Sequence, residues 1–203
     1  MQIDFTTLSV RDAYALMTTS IMPRPVAWVS TMSPEGRTNL APFSFFQGVT
    51  ANPPTLLIVP VNHRDGRRKD TARNIEETGE FVVNVVPYAL AEQMNATAAL
   101  LSAEESEFET FGIAQAPSTR VRPPRVAATP IAFECKLHQI VPVGEGPLAA
   151  SLILGRIQYA HFADNVLGPD GIPDPGKLDL VGRLGGELYV RTTERFALKR
   201  PDR

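Results

Sequence analysis

Prolines set the tightest limit on what this sequence can fold into. There are 18 of them in 203 residues, and most fall in clusters: Pro23/Pro25, Pro53/Pro54, Pro117–Pro130 and Pro169–Pro175. Proline lacks the backbone N–H and its ring clashes with the preceding helical turn, so this spacing excludes long helices and a continuous parallel sheet. The runs between the clusters are short. Val26–Thr31, Thr38–Phe43, Leu56–Val59 and Glu80–Val86 read as strands, as do Ile131–Val141 and Ser151–Phe162 with Gly155 at a bulge. Ile131–Val141 alternates, with Ile131, Phe133, Cys135 and Leu137 on one side and Glu134, Lys136 and His138 on the other. Helices are expected over Ser9–Thr19, over a short segment ending at Gly79, and over Ala89–Leu101. Residues 102–130 read as a long, mostly irregular excursion. Short strands, many turns and few short helices predict a mainly β chain, a β-barrel decorated by helices. Its length suits a single domain over 1–203.

The stretch Arg24–Pro60 concentrates the unusual features. It reads as three strands and two turns, the first turn at Ser33-Pro34-Glu35-Gly36 and the second at Asn52-Pro53-Pro54. Pro42 cannot donate to a ladder, so its strand must be an edge or bulged there. Asn39, Ser44 and Gln47 interrupt a segment rich in phenylalanine (Phe43, Phe45, Phe46). Two readings stand side by side: a pocket for a flat, partly polar ligand, or a barrel corner whose phenylalanines are simply core.

Composition narrows the function classes. Hydrophobic residues make up 43%, charged residues 21%, and the net charge is −2, which gives no electrostatic case for nucleic acid. A single Cys135 excludes an intramolecular disulfide and a cysteine-rich metal site. No apolar run reaches the ~18 residues of a membrane span, and MQIDFTTLSV does not resemble an export signal. The expectation is a soluble, cytoplasmic protein.

Catalytic equipment is sparse. The sequence contains no G-x-G-x-x-G, no G-x-x-x-x-G-K-[ST] and no G-x-S-x-G. His63, His138 and His161 lie far apart without metal-ligand spacing, and Cys135 on an apolar strand face reads as packing. A chain so equipped would leave hard chemistry to a bound cofactor. The loop Arg64–Thr71 indicates the kind. Arg67, Arg68 and Lys69 stand directly before a helix start, where free N–H groups and the helix dipole favour an anion. Asp70 or Thr71 can cap that helix, and the Thr71 hydroxyl can donate to a phosphate oxygen. Alternatively, the loop is a solvated basic segment balanced by Asp65, Asp70, Glu76 and Glu77.

Several motifs run in order along nearly the whole chain: R-P-V-A-W-V-S-T at Arg24–Thr31, N-L-A-P-F-S-F-F at Asn39–Phe46 and N-P-P-T at Asn52–Thr55. R-K-D-T-A-R-N-I at Arg68–Ile75, F-V-V-N-V-V at Phe81–Val86 and G-R-L-G-G-E-L-Y at Gly182–Tyr189 complete the set. Together they resemble the flavin-reductase-like family of FMN-binding split β-barrels (Greek-key type), in its flavoredoxin branch. The resemblance implies a homodimer with FMN near the subunit interface. It implies that Trp28, Ser30, Thr31, Asn39, Ala41, Ser44 and Phe45 line the isoalloxazine and ribityl chain. Lys69, Asp70 and Thr71 would meet the phosphate, and Arg183 would approach from the tail. The excursion 102–130 and the Gly144–Pro147 loop would shape access to the site. The implied activity is an FMN-dependent oxidoreductase that takes electrons from NAD(P)H or a protein donor, with no side chain acting as acid or base and no metal. A redox partner protein or a small molecule would accept the electrons. Two alternatives stay open: an FMN electron carrier without small-substrate turnover, and a cofactor-free dimeric interaction module.

Overall fold

The short apolar runs become strands, and seven of the strands join in one antiparallel sheet. In the computed structural model, which describes residues 1–201, helix α1 (Val10–Ser20) precedes the short strand β1 (Arg24–Pro25). Strands β2 (Ala27–Met32), β3 (Thr38–Phe43), β4 (Phe46–Ala51) and β5 (Pro54–Ile58) follow in close succession. Next come helix α2 (Asp70–Thr78), strand β6 (Glu80–Val85), and helices α3 (Ala91–Ala96) and α4 (Glu107–Thr110). The two-residue strands β7 (Gln115–Ala116) and β8 (Arg125–Val126) pair inside the excursion. Strands β9 (Ile131–Val143) and β10 (Ala150–Phe162) form a long hairpin, and β11 (Val181–Arg183) and β12 (Tyr189–Arg191) belong to the tail.

The main sheet runs β3-β2-β6-β9-β10-β5-β4, while β1, β11 and β12 make a small separate sheet. Its two outer strands are neighbours in sequence, separated only by Ser44 and Phe45. The sheet therefore curls round until its edges meet through two residues, with no ladder between them. This is a split barrel, and the position of Pro42 on edge strand β3 agrees with its missing donor. Ala27, Val29, Phe43, Ile58, Phe81, Cys135 and Ile153 fill the interior, and Ala72 and Ile75 of α2 pack against them. The ladder between β9 and β10 shifts register at Leu154/Gly155. A Cβ on Gly155 would sit 2.3 Å from Cζ of Phe81, so only glycine leaves that ring its place.

A second core lies on the other face of β2 and β3. Trp28 and Leu40 pack there against Met94, Phe108, Val126 and Val181, so the excursion covers the barrel wall. Polar side chains on the barrel fasten it. The fully buried Glu134 accepts from the backbone N–H of Thr119 (2.7 Å) and of Arg120, and bonds to His161 Nε2 (2.6 Å). Asn84 accepts from the Val126 N–H (2.9 Å) and donates to the Trp28 carbonyl (2.9 Å).

Two expected elements differ. Arg24–Pro60 holds two further strands, the two-residue β1 and β4, whose exposed residues on a sheet edge hide the β pattern. The helix expected over Ala89–Leu101 is a one-turn 3-10 helix, Tyr88–Leu90, and α3, which stops at Ala96. There the buried Thr97 hydroxyl donates to the Met94 carbonyl and accepts from the Trp28 indole. Gly79 ends α2 in the left-handed region (φ 73°), and the Ser9 side chain caps α1, both as expected. Among the described residues no helix is long and apolar enough to cross a membrane.

Candidate functional site

The start of α2 carries no side-chain cap. Its first residues follow a loop rather than a capping side chain: Lys69 occupies the cap position and makes no side-chain cap bond. The expected cap by Asp70 or Thr71 is therefore absent. Asp70 is already inside the helix and pairs with Arg73. The Asp70 and Thr71 N–H groups stay without an acceptor, as the first donors of an uncapped helix do. Of the three cations before the helix, Arg67 is engaged by Asp65 (2.7 Å) and Arg68 by Glu76. Lys69 alone has no side-chain partner among the described residues. It is partly buried, and that burial holds its ammonium below the usual lysine range.

Around this point lies a cleft of about 120 Å³, lined by Asn39, Ala41, Phe43, His63, Lys69, Thr71, Leu100 and Glu107. The buried Thr71 hydroxyl accepts from Asn39 Nδ2 (3.1 Å), which leaves its own proton free to donate. Burial and the Lys69 charge hold the His63 imidazole below its ordinary range, so it is neutral near pH 7. Glu107 is buried and accepts from the Leu40 N–H (2.8 Å), and burial raises its carboxyl. A larger, mixed-charge hollow of about 170 Å³ adjoins through Asn39 and Asp70. Its cations are matched by neighbouring carboxylates, Arg37 by Glu35 and Arg73 by Asp70, so it offers less to an anion.

A second group of residues gathers where the barrel edges meet. Arg24 is 6% exposed, and its Nε donates to Ser44 Oγ (3.3 Å). Its guanidinium lies 5.9 Å from the Phe45 ring centre, and Tyr14 of α1 meets the same ring edge-on. Arg183 is close enough to repel it electrostatically. Asn39 and Ser44 are five steps apart along an extended chain, about 17 Å at strand rise. One edge strand thus links the anion-seeking cleft to a cationic, aromatic corner.

The expected site residues fall into three sets. Asn39, Ala41, Lys69, Asp70 and Thr71 come together at the cleft. Ser44, Phe45 and Arg183 gather round Arg24. The side chains of Trp28, Ser30 and Thr31 line neither place. All three are fully buried: the Trp28 indole donates to Thr97 (2.9 Å), the Ser30 hydroxyl donates to the Pro124 carbonyl, and Thr31 accepts from Asn74 (3.0 Å). Strand β2 is covered on both faces, which leaves its side chains no open side. Sequence reasoning passed over His63, Glu107, Arg24 and the Thr97–Leu101 segment as site residues. Arg24 opens a recognised motif, a usable signal. The others reach the cleft only through tertiary packing.

Comparison with known proteins gives a consistent picture. A family model described as "Flavin reductase like domain" matches residues 18–176. An uncharacterised protein of Halalkalibacterium halodurans is 40% identical over 203 residues, covering 99% of this chain and 97% of its own. Nitrilotriacetate monooxygenase component B from Bacillus cereus superposes with a TM-score of 0.92 at 36% identity, with 98% of each chain covered. The 2-nitrobenzoate 2-nitroreductase NbaA of Pseudomonas fluorescens superposes with a TM-score of 0.90 at 34% identity, covering 99% of this chain and 96% of that one.

Proposed function

Because the chain belongs to the flavin reductase-like family, we propose that it is a flavin-dependent oxidoreductase that binds FMN, with the phosphate at the start of α2. The observation that carries this is the donor set there: two free backbone N–H groups, an unpartnered Lys69 ammonium and a Thr71 hydroxyl turned donor by Asn39. Such a set fits a phosphate, whose oxygens accept only, and a helix start favours its charge. A barrel kept for interaction alone has no use for a partly buried, unpaired ammonium. When bound, the flavin would supply the redox chemistry, with NAD(P)H or a protein as donor and a small molecule or a protein as acceptor. Lys69, Thr71 and the α2 amides would anchor its tail, and Asn39 and Ala41 would flank the chain leading to the ring. Ser44 and Phe45 would meet the ring. The reductase activity in the name of the Pseudomonas nitroreductase supports the reaction class.

The site is built between two copies of the chain. A cleft of about 120 Å³ is well below the roughly 300–1,000 Å³ of pockets that enclose a ligand of this size. Helix α1 carries Val10, Tyr14 and Met17 at helical spacing, with Ile21 directly after it, all exposed, while Thr18 is its one buried residue. Tyr14 of this stripe touches Phe45, so the uncovered apolar face runs directly into the site. A second copy seated on it would complete the pocket.

Titration of FMN and riboflavin into flavin-free protein tests the reading. Lys69→Ala should weaken FMN binding by roughly 1.5–3 kcal/mol, the worth of a hydrogen bond to a charged group, or about 10- to 150-fold. Riboflavin, without a phosphate, should bind parent and variant alike. Unchanged FMN affinity in the variant overturns the assignment.

A further inference from the structure

Arg24 is a buried cation with no carboxylate. It appears in no ion pair among the described residues, and its guanidinium is held by the carbonyls of Thr18, Ile21 (2.7 Å) and Leu184 (2.8 Å) together with Ser44 Oγ. A desolvated, unpaired charge is costly, and groups of this kind persist where the charge has a use. Arg183, whose charge bears on Arg24, is also a cation, and it stacks on Tyr189 (4.4 Å). Both arginines at the corner are therefore positive, and among the described residues no carboxylate pairs with Arg24.

Hydrogen-bond direction narrows what that charge can do. Arginine only donates, so Ser44 Oγ must accept from Arg24 Nε. The Ser44 proton then points away from Arg24, and no acceptor among the described residues takes it. A hydroxyl that accepts from a cation is a stronger donor than one in water, because bonds in a chain polarise one another. Ser44 is partly exposed and sits at the two-residue junction of the barrel edges, directly after the cleft-lining Phe43.

We propose that Arg24 is a positioning residue that fixes Ser44 as a charge-backed donor toward the flavin ring and so favours the reduced, negatively charged cofactor over the oxidised one. This rests on the FMN reading above and adds a device that sets the cofactor's potential. Fixed donors aimed at a developing negative charge are most effective where water is excluded, as at this buried guanidinium.

Potentiometric titration of FMN-loaded protein, with affinity for oxidised FMN measured alongside, tests it. Ser44→Ala leaves every carbonyl contact of Arg24 in place. It should lower the preference for reduced over oxidised flavin about tenfold, which for a two-electron couple is a fall of about 30 mV. It should also shift the visible spectrum of the bound flavin. Arg24→Gln should lower the potential at least as far, Arg24→Lys should restore part of it, and Arg24→Gln on top of Ser44→Ala should add little from the Ser44 route. A Ser44→Ala potential equal to the parent's, with flavin still bound, overturns the inference. So does an Arg24→Gln effect undiminished in the Ser44→Ala background. A protein that takes up no FMN refutes the parent reading instead, and the two failures are distinguishable. Should Arg24→Gln fail to fold, the Ser44→Ala potential still decides.

Discussion

Replacing Gly155 by alanine tests how tightly the barrel interior is fitted. The new methyl would lie 2.3 Å from Cζ of Phe81, 2.9 Å from Cε1 and 3.3 Å from the Cys135 Cβ. Carbon atoms rest at about 3.5–4.0 Å, so the ring or the strand must give by roughly 1.2 Å at the least. Phe81 is fully buried in one cluster with Ala27, Val29, Ile58 and Ile75. Overpacking of this kind costs about 1–3 kcal/mol, and the contact argues for the upper half. Loss of glycine's freedom in the unfolded chain returns roughly 0.4–1 kcal/mol. The net expectation is a loss of about 1–2.6 kcal/mol, which for a chain of this size lowers Tm by roughly 2–10 °C. Urea and thermal melts at fixed protein concentration measure it. Phe81→Leu in the alanine background should recover part of the loss, with a coupling energy of about 1 kcal/mol. A Gly155→Ala protein as stable as the parent, or strictly additive effects, would refute the reasoning.

Two further outcomes follow from the site. Burial lowers the Lys69 pKa in the free protein, and a bound phosphate would raise it. FMN affinity should therefore be full below the free-protein pKa and fall as pH rises toward the bound one. Riboflavin binding, and FMN binding to Lys69→Ala, should lack this alkaline loss. Light scattering should give a dimeric mass at micromolar concentration, with an interface above ~2,000 Å² of the obligate class. Tyr14→Glu on the exposed stripe should shift the protein toward monomer and weaken FMN binding together; a monomeric, fully flavin-loaded parent would rule out the two-copy site.

Much of this architecture is legible in the sequence because its signals are local. Ser9 capping α1, Gly79 ending α2, the Gly155 bulge and the alternation along β9 are all read within a few residues of chain. The cluster of cations before α2 is equally local. What the sequence conceals is pairing at a distance. The carboxylates near this loop are visible in the sequence, but which cation each takes, Asp65 on Arg67 and Glu76 on Arg68 with no ion pair to Lys69 among the described residues, is set by the fold. Trp28 looks like a ring waiting for a ligand until the excursion is seen folded over it. Strand β4 escapes notice because it lies on an edge, where five of its six residues are exposed and the apolar alternation fails.

The strand order also bears on how the chain reaches this state. Leu56 pairs with Gly155, Val82 with Glu134 and Ser30 with Val82, so three of the sheet's six strand pairings join partners far apart in sequence. Closing such large loops before any contact repays them makes folding slow. On the ribosome, β5 has no β10 to pair with until residues near 155 have emerged. Meanwhile β4 and β5 form a lone hairpin, a unit marginal in water. The cleft at the start of α2, by contrast, is built from segments between Asn39 and Glu107. Helix α2 leans on β2 and β3, which precede it in the chain, and on β6 and β9, which follow it, so folding intermediates of this protein should expose apolar strands as long as β9 and β10 are missing.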